Sequence, residues 1–185
     1  MSGATGPELD PRSVNLFAGC LYTLLLAGAL LWLWWRSAFA TLPQQALGEH
    51  GIWVAAGSGL LVGLLLAGGL RLAARHWPQL AAIERRVARL LGPMGESQIL
   101  WLSLLAAVAE EAFFRLAVQD QFGLPITVAL YAAVNTGPGF WAWLPVAGVF
   151  GLCFGLLVEA GAGLLAATSA HAVVNYLSLR RILPS

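Results

Sequence analysis

Apolar residues gather in six blocks, roughly Asn15–Trp35, Ile52–Leu70, Gln98–Val118, Leu124–Asn135, Trp141–Val158 and Gly163–Leu179. Short connections between them carry most of the Arg, Glu, Gln and Pro. A helix that crosses a bilayer needs about 20 predominantly apolar residues. The pattern therefore predicts an all-α polytopic bundle of about six transmembrane helices, forming a single integral membrane domain over residues 1–185. The fourth and fifth blocks are short and interrupted by Gly and Pro, which is tolerated where neighbouring helices bury the segment. In the fifth, Gly148, Gly151 and Gly155 form a face for close helix contact, with Gly151 and Gly155 matching GxxxG. Between the second and third blocks, Leu80, Ile83, Val87, Leu90 and Leu91 recur at helical spacing among Arg85, Arg86 and Arg89. They predict an amphipathic interfacial helix, readable either as a helix on the membrane surface or as a connector with a solvated basic face.

Composition agrees with this class. Of the 185 residues, 59% are hydrophobic and only 10% charged, where a soluble domain carries about 25% charged residues. The net charge of +1 says little about partners; membrane lipid is the expected surrounding and no nucleic acid is expected. All the basic residues are Arg, and their placement is informative. Arg71, Arg75, Arg85, Arg86 and Arg89 fall in the second connection, against Arg36 alone in the first. The positive-inside rule puts the second connection, and with six spans both termini, in the cytoplasm. Arg180 and Arg181 after the last block agree. Trp77 and Trp101 then sit near the inner boundary and Trp34, Trp35 and Trp53 near the outer, as an aromatic belt requires. Ala38-Phe39-Ala40 looks like a signal-peptide cleavage site, but the preceding apolar run is too long for one and only Arg12 precedes it. Cys20 and Cys153 lie inside apolar blocks, where a free Cys acts as a small hydrophobe.

Against this background the third block holds an anomaly, Glu110-Glu111-Ala112-Phe113-Phe114-Arg115. A charge at bilayer depth costs roughly 2.5–3.5 kcal/mol on insertion scales. Spanning a membrane requires none, so these residues read as a functional site. Glu111 and Arg115 are four apart on one helix face and can pair. Glu110 points about 100° away and has no partner on its own helix. An unpaired buried carboxyl can hold or exchange a proton, which a general base must do. Tyr131 and Asn135 share a face of the fourth helix, and His171 and Asn175 share one of the sixth. Along helices rising about 1.5 Å per residue, Glu110, Asn135, His171 and Asn175 all fall in a middle layer, about 12 to 18 Å from the nearest helix start.

The series Glu110-Glu111-xxx-Arg115, Tyr131-xxx-Asn135, His171-xxx-Asn175 resembles the CPBP family, which comprises type II CAAX prenyl endopeptidases and bacteriocin-processing enzymes and is also called the abortive-infection family. Its motifs are EExxxR, FxxxH and HxxxN, in that order on separate membrane helices. The resemblance covers about Ser97 to Arg180, and the core over 97–180 is similar to the family's protease domain. It implies intramembrane proteolysis by a glutamic-type endopeptidase that cleaves a membrane-proximal or C-terminal protein segment. By the same resemblance, Glu110 activates water, Glu111 and Arg115 orient one another and Glu110, and His171 and Asn175 donate to the oxyanion. It also implies residence in a bacterial inner membrane.

The chain departs from that pattern in the second motif. Tyr131 stands in place of Phe and Asn135 where the motif ends in His, and Asn positions a water without taking its proton. The change also bears on metals. Catalytic zinc usually takes three protein ligands, whereas only His171, Glu110 and Glu111 remain here, beside the cationic Arg115. A metal-free mechanism with no cofactor is expected. Two other functions stay open: a catalytically inactive relative that binds such segments, favoured by Asn135, and a small proton-coupled transporter using Glu110. No inverted repeat supports the transporter.

Overall fold

The computed structural model describes residues 11–183; both termini lie outside the described residues. Every regular element in it is helical. They run α1 (Pro11–Trp35), a 3-10 turn (Ala38–Thr41), α2 (Leu42–Leu47), α3 (Gly51–His76), α4 (Pro78–Leu91), α5 (Glu96–Glu111), a π-helical segment (Ala112–Gln119), α6 (Asp120–Val134), a second 3-10 turn (Trp141–Trp143), α7 (Leu144–Glu159) and α8 (Gly163–Ile182). Three stretches, Leu16–Trp35, Gly51–His76 and Trp141–Glu159, are each long and apolar enough to cross a membrane alone. The remaining apolar blocks form helices packed among them, and the molecule is an all-α membrane bundle.

Local chemistry sets several boundaries. Pro occupies the first turn of α2, α4 and α7, where its missing N–H costs nothing. Gly92, with φ 66°, ends α4. The backbone N–H of Gly95 donates to Gln98 Oε1 at 2.9 Å as α5 begins.

The third block departs from a plain α-helix. α5 passes directly into the π segment, a wider turn that is frequent at functional sites. The break expected between the third and fourth blocks is at Gly123, whose φ of 77° and ψ of 170° bend the chain. Pro125 stands just beyond it with φ suited to a helix start. The new helix rises only about 16 Å before it ends, about half of a hydrocarbon core. Asn135 is its C-terminal cap, so it stands at a helix end rather than within a span.

Helix α8 is the centre of the packing and lies closest to α3. A Cβ on Gly59 would sit 2.4 Å from the Ala166 carbonyl oxygen, and one on Gly63 2.8 Å from that of Ala170. The main core joins Phe114, Val118, Tyr131, Phe150, Phe154 and Val174 to Leu70 of α3 and Leu80 of α4. α4 is amphipathic and packs on the bundle: its Leu80 and Ile83 are buried while Arg85, Arg86 and Arg89 are exposed. Arg86 lies over the Phe140 ring, 4.4 Å from its centroid. Trp34, Trp35, Trp53 and Trp101 project from the exterior, whereas Trp77 packs against the core. Cys20 is exposed, Cys153 is half-buried, and both are free. At the α2 end, the Glu49 N–H donates to the Gly161 carbonyl at 2.8 Å. A Cβ on Gly48 would lie 2.2 Å from that carbonyl oxygen, so only glycine fits.

Candidate active site

The π segment gathers the polar side chains of the third block on one line. Glu111 is fully buried and Arg115 nearly so. Arg115 Nε donates to Glu111 Oε2 at 2.7 Å. Arg115 Nη1 donates to Gln119 Oε1 at 3.0 Å, and Gln119 Nε2 donates to the Gly155 carbonyl of α7 at 3.1 Å. Carboxylate, guanidinium, amide and backbone thus form a continuous ladder along residues four apart. The guanidinium also lies 5.5 Å from the centroid of Tyr131, a cation–π contact.

α8 closes the ladder from the other side. His171 Nδ1 is 2.8 Å from Glu111 Oε1; facing a carboxylate, that nitrogen carries the proton and donates. Both Glu111 oxygens are thereby engaged. The imidazole stacks on Phe154, centroids 5.0 Å apart and planes at 14°, and Tyr131 meets its edge at 6.3 Å. Two aromatic walls and a charged partner hold the ring in one orientation.

Glu110 belongs to a different compartment. With Asn135 and Asn175 it lines a cavity of about 440 Å³, walled by Ile83 and Val87 of α4 and by Leu102 of α5. Its Oε2 is buried and has no hydrogen-bond partner. Asn135 Nδ2 donates to the Tyr131 carbonyl of its own helix at 3.0 Å. A second cavity of about 340 Å³, at the α2 end, reaches Arg115 and Gln119 beneath the acidic Glu49, Asp120 and Glu159. The ladder thus separates the two cavities.

Of the residues singled out in the sequence, Glu110, Asn135 and Asn175 meet at the cavity, while Glu111, Arg115 and His171 form the buried support behind it. His171 does not line the cavity. Among the described residues no three His, Cys, Asp or Glu side chains come together as a metal-ligand group. Gln119, Phe154 and Tyr22, which also lines the Glu110 cavity, escape sequence reading. Gln119 had a signal, four residues beyond Arg115; the others depend on tertiary placement.

The glycines of α7 fit this design. A Cβ on Gly151 would lie 2.9 Å from Tyr131 Cδ1. One on Gly155 would lie 2.3 Å from Leu124 Cδ1, 2.9 Å from Gln119 Oε1 and 3.1 Å from Arg115 Nη1. Gly155→Ala is therefore expected to lower stability by about 1–3 kcal/mol through overpacking. Gly148→Ala, whose Cβ would approach nothing closer than Ala132 Cβ at 4.0 Å, should be neutral or slightly stabilising. Thermal melting of the two variants in the same detergent checks the contrast, and equal melting would refute it.

Residues 96–177, which contain all three motifs, match the family model described as Type II CAAX prenyl endopeptidase Rce1-like. No curated protein and no solved structure matches the chain. The resemblance read from the motifs therefore stands: from Glu96 of α5 to Leu177 of α8, this membrane protein is similar to the Rce1-like type II CAAX prenyl endopeptidases.

Proposed function

We propose that the protein is an intramembrane glutamic-type endopeptidase that cleaves a membrane-proximal or C-terminal protein segment in the Glu110 cavity. The observation that carries this reading is the buried, unpartnered Glu110 carboxyl oxygen at a cavity that Asn135 and Asn175 also line. A water held there donates one hydrogen to Glu110 and the other to Asn135 Oδ1, whose amide nitrogen is already turned to the Tyr131 carbonyl. As the water oxygen attacks the scissile carbonyl carbon, its proton passes to Glu110 and the carbonyl π electrons move onto oxygen. Asn175 donates to that oxyanion. Glu110 then returns the proton to the leaving amine nitrogen as the C–N bond breaks. Glu111, Arg115 and His171 act as positioning residues that hold α5 and α8 in register.

The mechanism requires no metal and no cofactor. Both Glu111 oxygens are engaged by Arg115 and His171, so Glu111 has no free oxygen to offer a cation. The protein resides in a bacterial inner membrane with α4 and both termini on the cytoplasmic side, in keeping with the Arg distribution. Its partners are membrane lipid and an extended substrate segment that enters the cavity between helices.

The test is incubation of the protein in liposomes with an internally quenched prenylated peptide ending in a CAAX sequence. Release of the C-terminal fragment, identified by mass, is the expected result. The bond between Asn135 and its own helix favours a second reading, a relative that binds such segments without cutting them. Saturable binding of the peptide with no fragment released would establish that reading in place of the first.

A further inference from the structure

One hydrogen-bond donor in the cavity comes from outside the segment that matches the protease family. α1 runs alongside α5 in the same direction. Gly28 faces Phe113, Arg36 Nη1 donates to Gln121 Oε1, and Ala29 and Leu33 bury against Ala112 and Leu116. Continuing that register six residues toward the α4 end brings Tyr22 level with Ala107, within about one turn of Glu110. The Tyr22 side chain lines the same cavity as Glu110, Asn135 and Asn175.

An oxyanion formed beside Glu110 needs donors at that end of the cavity. Glu110 accepts, Asn135 commits one N–H to Tyr131, and His171 lies outside the lining with its Nδ1 on Glu111. Trp143 and Ser178 also line the cavity, Ser178 almost one turn beyond Asn175 on α8. Asn175 offers N–H groups to a developing oxyanion, and hydrolytic sites commonly supply two donors. A phenol supplies the second.

We propose that Tyr22 is a catalytic residue whose O–H donates, together with Asn175, to the oxyanion formed when the Glu110-activated water attacks. The proposal rests on the endopeptidase reading above. No proton leaves the phenol: its hydrogen bond strengthens as charge builds on the carbonyl oxygen and relaxes when the C–N bond breaks. The family-matched core is then incomplete without α1.

Wild type, Tyr22→Phe, Tyr22→His and Glu110→Gln are compared in liposomes on the quenched prenylated peptide, with melting temperatures measured in parallel. Tyr22→Phe, which deletes only the hydroxyl, should lower kcat by about 10²-fold while KM and the melting temperature stay unchanged. Tyr22→His, which restores a donor, should regain part of that loss. Full activity in Tyr22→Phe, or a loss confined to KM, with Glu110→Gln inactive, overturns the role of Tyr22 and leaves the endopeptidase reading intact. An inactive wild type removes the endopeptidase reading, and an active Glu110→Gln removes the Glu110-activated water; either outcome takes the Tyr22 proposal with it.

Discussion

Glu110→Gln is expected to lower kcat on the prenylated peptide by about 10³-fold or more, at the upper end of what a general base contributes. The substitution preserves volume and shape and removes only the capacity to take a proton from water. Stability should move the opposite way or not at all. In the resting protein, Glu110 Oε2 is buried without a partner, and a neutral amide costs less to hold there than a carboxylate. Activity lost while the melting temperature holds or rises is the pattern of a site kept strained for function. Retained cleavage in this variant would transfer the general-base role elsewhere, and lost cleavage with a collapsed melting temperature would make Glu110 a structural residue.

Arg115→Met carries the largest expected effect on the fold. The Glu111–Arg115 side chains are both 0% exposed. Removing the guanidinium leaves Glu111 buried with only His171 for company, and Gln119 Oε1 loses its donor. Breaking a buried pair from one side destabilises by about 3–5 kcal/mol. Removing both charges, as in Glu111→Gln with Arg115→Met, should recover much of that loss, because no orphaned charge remains. Melting curves of the two single variants and the double variant form the test. A double variant no more stable than Arg115→Met alone would mean that the cost lies in lost packing and not in an uncompensated charge.

Glu111 and Arg115 were legible from spacing alone, because an i, i+4 pair is a local property of a helix. So were the apolar blocks and the small-residue face of α7. The π turn was not, since apolar periodicity over eight residues does not distinguish an α from a π register. The short fourth block ending at Asn135 was legible too, and its start follows from the break at Gly123; the glycine was visible, its φ was not. His171 was grouped with the glutamates as an oxyanion donor; it lies against Glu111, outside the lining of the Glu110 cavity. Which side of Glu111 it binds depends on the α3–α8 contact at Gly59 and Gly63, made by residues more than 100 positions apart. Tyr22 lay beyond reach for the same reason. Its place follows from α1 packing alongside α5, and nothing in the sequence around it marks a site.

The local ladder has a consequence for biogenesis. Sixty residues separate Glu111 from His171, so during synthesis α5 reaches the lipid well before α8 exists to meet it. Arg115, four residues away on the same rod, is already present. The helix thus carries its own counter-ion into the bilayer, and the translocon never handles a bare Glu111 carboxylate. Glu110 has no such escort. Of the two neighbouring acids, the one assigned the chemistry in the proposed mechanism is also the one that makes the membrane entry of α5 costly.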